Sequence, residues 1–554
     1  MWFEKSMKIF AGVGLVLAAC SSVSPSPSAS ASAQPSIAPT AQVLKVAMAA
    51  EPGTLDPVLA SDPASIQVLR SITRPLAYFD DKLAVVPGLA DSWEVSPDGT
   101  QITFHLGTHS YSNGEPIVAA DFVYSWRKLA DPRVAADYAY LLDPVAGFGD
   151  VQAADPADNA AVEAALAGLG VAAPDDRTFV VTFSRPASYF VSIAAQWMGA
   201  PQKPTFTYAE AADYVSSGPM MIKEWKHGSK IVLVPNPHWN AENPADQVKI
   251  DQIEMAVIDD TAVSLAAYQA DDLDITDLPR AEVARVTADA ALSGQIVSSS
   301  TLNIAYWGFD LKDPNRPFAK SKLLRRAFNE ALDKETLLST VFTGLGAVAY
   351  SLVPPGMPGH QDDQFIPYDT AKAQADFNQA LTDLGMTKDQ LNLELGYNVA
   401  GRNQDQALFV QAQWKEVLGI EVTLVATEDW GAYLDRLFND PPDIFRLAWG
   451  ADYPHPNTFL RDLISCTSAY NNMGYCNREV EALLASAATK ATLDEQVPIY
   501  NQVQEMVMAD APVIPDVFSF RFSLVKPWVQ RLTTTDLDLS AGSLFYYRVT
   551  IAAH

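Results

Sequence analysis

Residues 90–106 read A-D-S-W-E-V-S-P-D-G-T-Q-I-T-F-H-L, and residues 112–128 read S-N-G-E-P-I-V-A-A-D-F-V-Y-S-W-R-K. Trp93 and Val95 alternate with polar neighbours, Pro97-Asp98-Gly99 is a tight-turn tripeptide, and Ile102, Phe104 and Leu106 alternate on the way back. The pattern predicts a hairpin. Asn113-Gly114 turns the chain again, and Asp121 is expected to cap a helix over Phe122–Lys128. A change from a period of two to a helical period within forty residues marks a mixed α/β chain.

The same alternation extends in both directions. Leu44–Met48 reads as a strand, Glu51–Pro57 (E-P-G-T-L-D-P) as a turn, Ser65–Ile72 as a helix and Thr178–Phe183 as a strand. Pro201 and Pro204 mark a crossing between lobes. Leu324, Phe328 and Leu332 recur at helical spacing within Lys320–Leu332. Gln406–Leu418 repeats that pattern, and Gly419 ends the helix before the strand E-V-T-L-V-A.

With 554 residues, 48% of them hydrophobic, the chain is too long for one compact domain, and two or three lobes are expected. A formal net charge of −28 argues against a nucleic-acid partner, because phosphate binding needs the opposite sign. Lys5 and Lys8 precede Ile9–Ala19, which carries no charge and is too short to span a bilayer. That is the form of a signal peptide, with Met7 an alternative start. The small residues before Cys20 resemble a bacterial lipobox, which implies a lipidated Cys20 on the outer face of the cell membrane. From Ser21 to Ala41, Ser, Ala and Pro fill 17 of 21 positions, the composition of a tether. Cys466 and Cys476, ten apart in a Ser/Asn/Gly-rich loop, most simply form a disulfide in an exported protein.

One stretch carries unusual chemistry: Arg446–Pro456, R-L-A-W-G-A-D-Y-P-H-P. Asp452 follows a strand-like apolar run, beside an indole and two prolines, where an ionised carboxylate is costly without a partner. A structural cation, a cluster of backbone N–H groups or a ligand ammonium could each serve, and an ordinary turn cap is the plain alternative. Enzyme signatures do not compete. No G-x-S-x-G, H-E-x-x-H, P-loop or dinucleotide glycine pattern occurs, and the seven His are scattered. His105 and His109 are separated by a strand end and a turn, which is not helical metal-ligand geometry.

Several segments, taken together and in order, resemble the solute-binding proteins of peptide-importing ABC transporters, the oligopeptide- and dipeptide-binding family. They are E-P-x-x-L-D-P, the W-x-V-S-x-D-G hairpin, S-N-G-x-P-x-x-A-x-D-F-V-Y-S-W, S-G-P-M (Ser217–Met220) and I-V-L-V-P-N-P-H-W-N (Ile231–Asn240). R-R-A-F-N-E-A-L-D-K-E (Arg325–Glu335), W-G-A-D-Y-P (Trp449–Pro454) and L-V-K-P-W-V (Leu524–Val529) complete the set. The resemblance covers residues 43–554. It implies a three-lobed α/β fold of the type II periplasmic-binding-protein (Venus-flytrap) kind. Lobe I would take 43–75, 203–301 and 520–554, an inserted lobe II 76–202, and a second gripping lobe III 302–519. A signal peptide (1–20) and a tether (21–42) precede them.

The resemblance also implies a site. Asp452 matches the acid that holds a peptide ammonium, and Ala448, Trp449 and Gly450 would offer the strand backbone, Gly450 allowing close approach. Trp449 and Trp430 would be aromatic walls, with Tyr453 in the same segment. Arg446 and Arg436 match basic positions suited to a carboxylate, although Arg446 could instead pair with Asp443 or Glu428, and Arg436 could be a solvated helix residue. Ala60-Ser61, Phe342 and Asn403 depart from the family's charged positions, so a preferred peptide length does not carry over. The expected partners are short peptides and ABC permease subunits, with no cofactor, no nucleic acid, a monomeric state, and membrane contact only through the lipid. Rival cargoes on the same fold are oligosaccharides, nickel complexes or haem; a secreted hydrolase or an adhesin is the rival of a different class.

Overall fold

The computed structural model describes residues 41–241 and 244–554. The signal-peptide, Cys20 and tether expectations therefore lie outside the described residues, except for the last two tether positions. Among the described residues no helix is long and apolar enough to cross a membrane.

The strands that position the site are β1 (Val43–Met48), β2 (Ala90–Val95), β3 (Gln101–Leu106), β4 (Val171–Asp175), β5 (Thr178–Thr182), β6 (Met220–Lys226) and β7 (Lys230–Pro235). They continue with β8 (Gln252–Val257), β9 (Ile275–Asp277), β10 (Ile296–Phe309), β11 (Leu393–Asn398), β12 (Val422–Thr427), β13 (Ile444–Gly450) and β14 (Val513–Val525). One 11-stranded sheet runs β12-β11-β13-β10-β14-β9-β1-β8-β7-β6, with the short strand Ala347–Val348 paired to β14. A separate four-stranded sheet, β2-β3-β5-β4, holds the predicted hairpin.

The long strands β10 and β14, of 14 and 13 residues, tie the two halves of the large sheet together. Their antiparallel register is regular from Ile296↔Leu524 to Ser300↔Phe520, then jumps to Ile304↔Phe518. Leu302 sits inside that break with φ +46, backbone that a branched side chain seldom adopts. The ladder between the two long strands is therefore interrupted at this level and resumes beyond it. A second irregularity falls between Ala305↔Val517 and Tyr306↔Pro515, leaving Asp516 as the extra residue of a bulge.

Packing follows the apolar periodicity. In the helix Lys322–Glu330, Leu324 and Phe328 are fully buried, and Phe328 packs on Trp414 of the helix Asn403–Val417 with ring centroids 4.9 Å apart. The Trp414 indole donates to the Phe328 carbonyl at 2.8 Å. In the inserted segment Trp126 meets Phe179 edge-on at 5.1 Å. Asp121 differs from its expected role. The helix begins at Ala119 after Val118, so Asp121 is its third residue and reaches back to accept from the Val118 N–H at 3.1 Å.

The inserted segment is seated against the helices near the chain's end. Ser188 Oγ donates to the Ala488 carbonyl at 2.8 Å and accepts from Gln496 Nε2 at 3.0 Å. Gly99, the hairpin turn at φ +70, lies so close that a Cβ there would stand 2.9 Å from the Ala488 carbonyl. The turn therefore needs glycine both for its conformation and for its clearance.

Candidate functional site

Strand β13 forms because Ile444, Phe445 and Leu447 are buried between covered layers. Its pairing is lopsided. On one side it matches β10 along its whole length, from Phe309↔Ile444 to Asn303↔Gly450, but β11 reaches only Ile444 and Phe445 on the other. The Ala451 N–H donates to Leu302 at 2.9 Å, so the odd-numbered residues turn their amides to β10 and Arg446, Ala448 and Gly450 turn theirs away. The Tyr433 hydroxyl donates to the outward-facing Arg446 carbonyl at 2.7 Å. Ala448 and Gly450 are exposed. This is an open strand edge, a template for a main chain of any sequence.

Asp452 stands at the end of that edge. Its side chain is half-buried, and Oδ2 is shut off from solvent with no hydrogen-bond partner. Among the described residues no backbone N–H caps the carboxylate and no cation pairs with it. Burial raises the carboxyl to about 7, helped by the like charge of Asp462 and opposed by the hydroxyls of Tyr140 and Thr458. Aromatic faces surround it: Tyr470 packs on Trp449 with centroids 5.0 Å apart and edge-on to Tyr140 at 5.6 Å. Gln196 donates to the Asp452 carbonyl at 3.2 Å, and Trp449 Nε1 lies 3.4 Å from Thr458 Oγ1. A carboxylate with a spare oxygen inside a partial ring of aromatic faces suits an ammonium, which both can stabilise. Tyr140 and Tyr470 line a cavity of about 270 Å³ whose charged residues are Asp143, Arg461 and Asp462, the last two paired at 3.0 Å.

The remaining expected residues divide. Arg446 is not paired with Asp443 or Glu428. Asp443 is held by Arg316 at 3.3 Å, while the Nε of Arg446 is buried and unpartnered, and burial lowers its pKa. Arg436 lies 2.6 Å from Glu394 on β11, in a partly exposed ion pair. Tyr453 also lines the cavity beside Tyr140 and Tyr470. It is buried in the core, stacked on Tyr189 at 6.4 Å, with its hydroxyl accepting from Asn457 at 2.8 Å. Trp430 is half exposed, starts the helix Trp430–Asn439 and packs on Tyr433 at 5.9 Å, beside the open edge.

Tyr140, Gln196, Thr458 and Tyr470 were not marked by sequence reasoning. Tyr140 and Gln196 come from the inserted segment, about three hundred positions away, and no local spacing links them to Asp452.

Cys466 and Cys476 are joined in a disulfide, and Tyr470 rides on the loop it closes. Replacing both (Cys466→Ser with Cys476→Ser) should cost about 2–3 kcal/mol, the chain-entropy value for a loop of this length. It should also loosen the Tyr470 face of the Asp452 site. Urea denaturation of oxidised and double-mutant protein checks the first effect. An unchanged midpoint contradicts it.

Comparison with known proteins agrees with this geometry. Residues 84–471 match the family described as bacterial extracellular solute-binding proteins, family 5 middle. The chain belongs to this family. Its members are binding proteins rather than enzymes. The chain is 28% identical over 531 residues to the probable deoxycholate-binding periplasmic protein YgiS of Escherichia coli, covering 93% of this chain and 95% of that one. It is 27% identical over 519 residues to the oligopeptide-binding protein OppA of Bacillus subtilis, covering 91% and 92%. Among solved structures, the unliganded open form of the murein tripeptide binding protein MppA superposes with a TM-score of 0.79 at 26% identity, covering 93% of this chain and 98% of that chain. The Haemophilus influenzae OppA complex with the peptide RPPGFSPFR gives 0.65 at 25% identity, covering 92% and 99%. The fold is thus the type II periplasmic-binding-protein fold.

Proposed function

We propose that this protein captures short peptides by their amino end and delivers them to an ABC importer. The observation that carries the reading is Asp452: a half-buried carboxylate with one unpartnered oxygen, at the end of a strand edge whose free amides face outward. A peptide offers what all peptides share, an ammonium for Asp452 and a main chain for Ala448 and Gly450, while its side chains need no dedicated partner. Trp449, Tyr140 and Tyr470 supply aromatic faces, and Arg446 lies along the edge with its Nε lacking a hydrogen-bond partner. A hinge at the β10–β14 register break lets residues 302–519 close on 43–75, 203–301 and 520–554, with 76–202 as an inserted lobe. The protein acts as a monomer, exported and held to the outer face of the membrane through a lipid on Cys20, with the permease subunits as its partners.

A second reading comes from the deoxycholate-binding relative. A bile acid brings an anion, which Asp452 repels when ionised, so this site favours an amine-bearing ligand. Native mass spectrometry of protein purified without added ligand separates the two. A ladder of bound peptide masses supports the first reading. One steroid-sized mass, a sugar or a metal chelate contradicts it.

A further inference from the structure

Among the described residues Arg280 and Arg402 form no ion pair, in a chain that carries 66 acids against 38 Lys and Arg. Arg280 opens the helix Arg280–Ala288, and Arg402 immediately precedes the helix Asn403–Val417. Arg280 donates Nη1 to the Leu345 carbonyl and Nη2 to the Phe520 carbonyl, each at 2.8 Å. Arg402 donates Nη1 to the Val341 carbonyl. Val341 and Leu345 are the two ends of one tight loop. Inside it the Leu345 N–H donates to the Phe342 carbonyl at 3.0 Å, and Thr343 and Gly344 take φ of +55 and +73. Two guanidiniums from distant parts of the chain thus reach opposite ends of the same short loop.

The contacts leave both charges uncompensated. Every acceptor is a neutral backbone carbonyl, and the remaining N–H groups of each fork are unspent. Both side chains are half-buried, so water screens them only in part. The pair also stands at the level of the Asp452 site. Phe520 on β14 pairs with Ser300, the last regular pair before the register break, and the Ala451 N–H donates to Leu302 inside that break. Arg402 follows the end of β11, held there by the Asn403 side chain donating to the Asn398 carbonyl at 3.1 Å. β11 is the strand that leaves the β13 edge open beyond Phe445. Arg280 belongs to 203–301 and Arg402 to 302–519, the stretches given above as closing on each other.

We propose that Arg280 and Arg402 form a carboxylate subsite, apart from Asp452, that makes the cleft prefer peptides bearing an acidic group at one fixed distance from the amino end. This rests on the peptide reading and deepens it. The carboxylate comes from an acidic side chain or from the end of a longer chain, and its two oxygens accept from a guanidinium on each side. Main-chain pairing along β13 reads no sequence, so this pair is what distinguishes acidic cargo from neutral.

Calorimetry at pH 8 with peptides of three to six residues tests it. One series is amidated at the carboxyl end and carries a single Glu or Gln at each position after the first. A second is all-alanine, as free acid and as amide, so the two series separate a side chain from a chain end. At one position or one length the wild type should bind the acidic form on the order of tenfold more tightly than its neutral twin, the scale of hydrogen bonds to a charged group. There Arg280→Gln and Arg402→Gln should each bring the ratio close to one and leave the neutral twin's affinity unchanged. Arg280→Lys and Arg402→Lys, which keep the charge without the fork, should retain part of the ratio. Variants that weaken acidic and neutral peptides alike overturn the proposal and leave the two arginines as pins of the Val341–Leu345 loop. An acid preference that both Gln variants leave intact, or none at any position and length in the wild type, overturns it alone. A wild type that binds no peptide overturns the underlying reading with it.

Discussion

Asp452→Asn weakens peptide binding by about 2–5 kcal/mol, the scale for removing one partner of a largely desolvated charge pair. The substitution keeps the shape and removes only the charge, so the core beside it, including buried Tyr453 and Phe459, is undisturbed. The loss falls on affinity rather than stability. In the unliganded protein the charge is a burden, with Oδ2 buried and unpartnered and Asp462 repelling it. The variant should therefore melt at the same temperature as the wild type or slightly above it while binding far more weakly. Calorimetry with one short peptide and a thermal melt decide this together. A variant that binds as tightly as the wild type reduces Asp452 to a turn residue.

Binding and stability should respond to pH with opposite signs. The form of Asp452 that holds an ammonium is ionised, and its pKa in the empty site is about 7. Affinity is then level above about pH 8 and falls by up to about tenfold per unit below 7, because each capture must first release a proton. Unliganded stability runs the other way. Asp452 and Asp516 at about 7 and Asp538 at about 6 keep protons in the folded state that the unfolded chain has lost above about pH 4. Their contribution is fully present below the unfolded value and is lost as pH rises through 6 to 7. His455, brought down to about 4 by burial, opposes them from about pH 4 to 6.5, and Lys334, brought down to about 7, opposes them above pH 7, two groups against three. The empty protein should melt higher at pH 5.5 than at pH 8 and bind more weakly there. Affinity unchanged between pH 8 and pH 5.5 contradicts the role given to Asp452.

What the sequence revealed is what local pattern encodes. The hairpin over Ala90–Leu106 and the strand ending at Gly450 are legible because alternation and turn residues are local, and Asp452 stands out because an acid after an apolar run is costly. What stayed hidden has one cause. The environment of a side chain is set by elements far away in the chain. Nothing local shows that Arg436 lies beside Glu394 on β11, or that Tyr453 stacks on Tyr189. Asp516 sits in V-I-P-D-V-F-S-F, where an acid interrupting a buried strand gives no sign of the bulge that holds it.

The central claim is that Asp452 recognises a charged amino end, and N-terminal acetylation of the ligand tests it most directly. Calorimetry at pH 8 should show a short peptide losing about 2–5 kcal/mol on acetylation against the wild type, and little or nothing further against Asp452→Asn. Equal affinity of the wild type for the free and acetylated peptides would contradict the account.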